Sequence, residues 1–93
     1  MLAVEQLGEG AWRWSATPDR WAHLLELPHL LLLVDPHFPE PGSADAERFW
    51  RHLDDDVARR GTPVTVVVTT PACEDDARAV LERYPNSRRV AAY

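Results

Sequence analysis

Two short apolar runs, each followed by a helical pattern, restrict the folding of this chain more than any other feature. LLLLVDP, residues 30–36, is unbroken and ends in Asp-Pro. PVTVVVTT, residues 63–70, is the second such run. Continuous runs of this length suit strands that are covered on both faces. Residues 44–60 follow the first run with Phe49, Trp50, Leu53 and Val57 at helical spacing. Ser43 is placed to cap that helix and Gly61 to end it, with Asp45 and Glu47 at one end and Arg59 and Arg60 at the other. Residues 71–84 follow the second run, with Thr70 as cap, Pro71 in the first turn and a buried stripe of Ala77, Val80, Leu81 and Tyr84. Strand–helix–strand–helix order predicts parallel strands joined by right-handed crossovers.

The flanks complete an α/β domain. Residues 3–16 read as a β-hairpin turning at Gly8-Glu9-Gly10, with Trp12 and Trp14 on one face of its second strand and Arg13 on the other. In residues 17–29, Pro18 and Asp19 open a helical turn, Trp21, Leu24 and Leu25 share a face, and Pro28 stops it. The loop HFPEPGS links the first apolar run to its helix, and SRRVAAY adds a short final strand. The expectation is an N-terminal hairpin followed by βαβαβ, with helices packed on a mixed sheet. Residues 1–93 make one small domain with no repeat or linker.

Composition excludes several functions. The net charge of -5 argues against nucleic-acid partners. The longest apolar run, Leu30 to Val34, is far too short to span a membrane, and the N-terminus lacks the pattern of a secretory signal. One cysteine, Cys73, permits no internal disulfide and suits a reducing, cytoplasmic setting. All ten basic residues are arginine, a composition that suggests a GC-rich coding sequence.

Ligands of parallel sheets collect beyond the carboxyl ends of the strands. If the strands at 30–35 and 64–69 are neighbours, Asp35 and His37 face Thr69, Thr70, Cys73, Glu74 and Asp75 across one edge. These seven residues form the candidate ligand pocket. They include metal-ligand types at no diagnostic spacing.

The segments GAWRWSA, LLLLVDPHFP, FWRHLDDDVARRGTPV and VVVTTPACEDDARAVLERY resemble the first half of a metallo-β-lactamase-fold protein. They are similar to a bacterial subgroup whose metal motif is altered. In the family, the second parallel strand leads into Thr-His-x-His-x-Asp-His, which holds up to two metal ions. Thr69 matches the motif's Thr, and Asp35 matches the acidic residue ending the earlier strand. Thr70 and Ala72 stand at the two His-x-His positions, Glu74 at the Asp and Asp75 at the last His. The resemblance therefore implies a partial, half-sandwich fold with a degenerate metal motif. The family's remaining ligands and much of its pocket come from a second half, and this chain ends about where the first half does. Residues 17–29 look short beside the pattern, as if a strand were missing.

Each candidate also has a structural explanation. Glu74, Asp75 and Asp76 complement a helix dipole, and Glu74 is spaced to pair with Arg78. Cys73 is a nucleophile candidate at a helix start, but lies in line with Ala77 on the buried stripe. Asp35 can hold backbone N–H groups after its strand. His37 reads as an exposed loop histidine, His52 as part of a solvated helix face, and His23 and His29 carry no metal spacing.

Three functional expectations follow. The first is a metallo-hydrolase homologue, inactive as an isolated chain and without a cofactor. The second is a non-enzymatic interaction module, a homodimer or heteromer, assembled through a sheet face that half a sandwich leaves uncovered; Trp12 and Trp14 are placed on that face. The third is a hydrolase with a replacement zinc site at Asp35, His37, Cys73 and Asp75, using metal-bound water.

Overall fold

The computed structural model describes residues 2–17 and 19–93. Six strands form one mixed sheet in the order β1 to β6: β1 Ala3–Gly8, β2 Ala11–Thr17, β3 Arg20–Glu26, β4 Leu31–Val34, β5 Val64–Val68 and β6 Ser87–Ala91. Strands β1 to β4 form an antiparallel meander. Strand β4 then pairs parallel with β5, and β5 with β6. Helix α1, Ala44–Arg60, connects β4 to β5. A short 3-10 turn, Pro71–Cys73, and helix α2, Glu74–Arg83, connect β5 to β6. No helix among the described residues is long and apolar enough to cross a membrane.

Local chemistry explains most boundaries. Gly10 adopts φ 73 in the first hairpin turn, where its carbonyl accepts the Glu26 N–H at 2.7 Å. A side chain there would meet the Glu26 backbone at 3.4 Å. The Ser43 hydroxyl caps α1 by accepting the Ala46 N–H at 3.1 Å. Gly61 ends α1 in the left-handed region, its N–H on the Val57 carbonyl.

The expected helical turn is corrected: Arg20–Glu26 form strand β3. Ala22 and Leu24 are buried, alternating with Trp21, His23 and Leu25, which are not. This period of two is that of a strand. Trp14 pairs with Ala22, and Leu24 with Leu33, so β3 supplies the hydrogen-bonding partner that both β2 and β4 need. Pro28 lies in the tight turn to β4, where the Leu27 N–H donates to the Leu30 carbonyl at 3.0 Å. The role expected for Pro18 lies outside the described residues.

Both helices pack on one face of the sheet. Leu53 of α1 and Ala77 and Val80 of α2 share a core with Trp14, Leu24, Leu31, Leu33, Val64, Val66 and Val68. Phe38, Phe49 and Trp50 extend it as an aromatic cluster, with Trp14 and Phe49 centred 4.9 Å apart. Trp12 and Trp14 therefore lie on the covered face, not the uncovered one. Strand β4 is also not covered on both sides: Leu31 and Leu33 are fully buried, whereas Leu32 and Val34 remain partly exposed, and on the same face of β5 Val67 is partly exposed while Thr65 is buried.

Candidate functional site

The carboxyl ends of β4 and β5 bring together some of the expected residues and divide others. Asp35 ends β4 with φ 48, a left-handed conformation that aspartate tolerates better than most residues. Its Oδ1 accepts the Thr69 N–H at 2.6 Å, and its Oδ2 accepts the Thr69 hydroxyl. The Thr70 hydroxyl accepts the Ala72 N–H and caps the 3-10 turn. Ala72 has no side-chain donor atom to offer.

Glu74 faces the last strand. Arg89 of β6 donates to both of its carboxylate oxygens, and the Tyr93 hydroxyl adds a bond of 2.6 Å. These bonds, Arg89's foremost, hold the Glu74 carboxyl at a pKa of about 2. The expected Glu74–Arg78 pair is therefore replaced by Glu74–Arg89, because the β5–β6 register places Arg89 beside the start of α2. Arg78 instead lies 3.8 Å from Asp75, whose side chain is 94% exposed.

His37 is not an exposed loop histidine. It is only 3% exposed, because its loop folds over the sheet and its carbonyl accepts the Trp14 indole N–H at 2.6 Å. Its Nε2 is buried without a hydrogen-bond partner among the described residues. Burial and the Arg20 charge lower its pKa, while the Asp76 charge and backbone hydrogen bonds at Arg20 and Trp14 oppose them. Burial raises the Asp76 pKa, against the pull of Arg20 and His37. Arg20 also donates to the buried Cys73 Sγ at 3.1 Å.

Arg20 and Asp76 are the neighbours that sequence reasoning missed. They come from β3 and α2, and no spacing in the chain links them to His37. No group of three or more His, Cys, Asp or Glu side chains suited to a metal occurs among the described residues. The residues at the motif positions do not fit a zinc ion. Thr70 is a cap, Ala72 has no donor, Glu74 is held by Arg89 and Tyr93, and Asp75 points to solvent.

Two grooves lie on the helical side. A cleft of about 740 Å³ between α1 and α2 is lined by Phe38, Trp50, Arg51, Asp54, Asp76 and Arg83. Arg83 and Asp54 bond to each other there, at 2.8 and 2.6 Å. A second groove of about 550 Å³ lies between β1, β2 and α1, lined by apolar residues including Val4, Trp12 and Phe49 and by the polar Asp45, Arg48 and His52.

Among the described residues, no helix covers the opposite face of the sheet. The registers place Glu5, Arg13, His23, Val34, Val67 and Val90 in one row across it. Ala11, Leu25, Leu32, Thr65 and Arg88 form the adjacent row. Trp21 shares this face under the Arg13 guanidinium, 4.0 Å from its ring centre. Trp21 is 38% exposed and Val90 41%. The middle of the face is mainly apolar, interrupted by His23 and the buried Thr65, and the charged groups Glu5, Arg13 and Arg88 sit on β1, β2 and β6.

Compared with known proteins, the chain matches no family model, no curated protein and no solved structure.

Proposed function

We propose that this chain is a non-catalytic interaction module that resembles the first half of a metallo-β-lactamase sandwich and assembles through its bare sheet face. The observation that carries this reading is the one-sided packing of the sheet. Strand β4 has apolar side chains on both faces, and β5 adds Val67 to the second face beside the buried Thr65, while the helices cover only the first. An apolar surface of that kind is characteristically buried against a partner. The order of a meander followed by βαβαβ supports the half-sandwich resemblance. A reducing setting is part of the proposal, with Cys73 retained as a buried free thiol.

The hydrolase readings have less support. Thr70 and Ala72 stand where imidazoles would be needed, and Glu74 is committed to Arg89 and Tyr93. Asp35 is likewise committed to Thr69, and His37 and Cys73 are buried.

Carbene footprinting tests the module. Inside cells, Trp21, Leu32 and Val67 should be labelled less than in the dilute purified chain, while Trp50 in the interhelical cleft is labelled equally in both. Equal labelling of the bare face in both settings would overturn the proposal. Zinc titration by calorimetry checks the other side: tight stoichiometric binding would restore a hydrolase reading.

A further inference from the structure

We infer that the occupant of the bare sheet face is a second copy of this chain, docked about a twofold axis that runs along the strands between β3 and β4. The inference rests on the module reading and names its partner. Three observations support it.

The first is the sequence of the central strands. Leu32 and Val34 alternate with Leu31 and Leu33, so β4 is apolar on both sides, yet α1 and α2 cover only one. A second identical sheet, stacked about 10 Å away, would cover the other with chemistry of the same kind.

The second is area. Six strands about 4.8 Å apart and about 17 Å long give a footprint of roughly 500 Å² in projection, and the accessible area of a side-chain surface exceeds its projection. Specific, stable interfaces of standard size bury about 600–1,000 Å² per partner. The projected footprint falls just short of that range, and the relief of the side chains brings the accessible face to its lower end.

The third is charge. The chain has ten arginines and fifteen acidic residues. Only Arg13, Arg88 and Glu5 belong to the two rows of the bare face. The acidic excess lies elsewhere, so stacking two copies does not bring it together.

Edge charges also select the axis. Glu5 lies on β1 and Arg88 on β6, at opposite edges of the sheet. A twofold axis along the strands sets β1 of one copy over β6 of the other, so at each rim Arg88 approaches the Glu5 carboxylate, which Arg13 of its own copy holds at 2.7 Å. A twofold axis across the strands would set β6 over β6 and Arg88 near its own copy, where like charges repel. With the axis along the strands, His23, Leu25, Leu32 and Val34 form the centre.

Sedimentation velocity from 1 to 200 micromolar, in chosen protein concentrations, tests the inference. The chain should sediment as a dimer at the upper end. Leu32→Glu should give a monomer whose circular dichroism matches the parent, which separates dissociation from misfolding. Glu5→Arg and Arg88→Glu should each weaken self-association by more than about tenfold, since each places like charges at both rims. Mixing the two variants should restore a dimer, because both rims of the mixed pair carry opposite charges. A monomer throughout the range would overturn the second copy. A dimer indifferent to Leu32→Glu would overturn the face. If the chain is monomeric but its face is still protected in cells, the module stands and its occupant is another polypeptide. If that protection is absent as well, the module reading falls too.

Discussion

Asp35 ties the carboxyl ends of two parallel strands together: its carboxylate accepts the Thr69 backbone N–H at 2.6 Å and also the Thr69 hydroxyl. The residue matched to a family's acidic position is thus a clasp between β4 and β5. Asp35→Ala removes both bonds and leaves a β-carbon residue at φ 48 without a local hydrogen bond. It should cost about 2 kcal/mol, combining the bond and the left-handed backbone. Asp35→Asn keeps an acceptor and tolerates the backbone, and should cost less than about 1 kcal/mol. Urea unfolding of the two variants checks the ranking.

Helix α1 and the first hairpin were legible because their signals are local. Ser43, Gly61 and Gly10 each act within a few residues of their position. Strand β3 was not legible because Trp21, Leu24 and Leu25 also fit helical spacing, while the buried Ala22 is too small to mark a strand face. Its assignment depends on pairing with β2 and β4, which is non-local. The same holds at the strand ends. Glu74 meets Arg89, and Arg20 and Asp76 approach His37, only after the sheet has assembled. The apolar runs signalled two-faced burial for β4 and β5. Sequential strand order then put both helices on one side, leaving that signal half fulfilled within the chain.

Adjacent leucines on β4 should respond differently to truncation. Leu33 is fully buried in the core, so Leu33→Ala should cost about 2–5 kcal/mol at any protein concentration. Leu32 points to the bare face, and Leu32→Ala should cost less than about 1 kcal/mol in the dilute chain. Its cost should grow with protein concentration as dimers form. Thermal melts of both variants across a concentration series check this.

The Glu74 clasp predicts an acid-sensitive contribution. Its pKa lies at about 2, below the ordinary 4.5. The folded state therefore binds this proton less readily than the unfolded chain. The stabilisation is full above about pH 4.5 and is lost as pH falls toward 2. Glu74→Gln should melt below the parent at neutral pH, and the gap should close across that window. Parallel melts from pH 7 to pH 2 measure the difference. Equal gaps at both ends would show that the Arg89 and Tyr93 bonds do not depend on the Glu74 charge.

His37 predicts a separate loss nearer neutrality. Burial and Arg20 lower its pKa from the ordinary 6.5 in the folded state, so the unfolded chain takes up the proton first. Stability should be full above pH 6.5 and fall below it. Asp76 acts with the opposite sign, because burial raises its pKa and the folded state gains its proton first. Its contribution weakens as pH rises through the raised pKa. His37→Leu removes the titrating ring and its unpartnered Nε2, while the backbone carbonyl that holds the Trp14 indole remains. The variant should match or exceed the parent at pH 7, since an unsatisfied buried group costs about 1–3 kcal/mol. It should also lose the slope between pH 6.5 and about 4.5, leaving the Asp76 trend there until the Glu74 loss begins, and Asp76→Asn in the same background should flatten that. Denaturant midpoints from pH 8 to pH 4 read both slopes, and an unchanged slope in His37→Leu would assign the neutral-pH loss to another group.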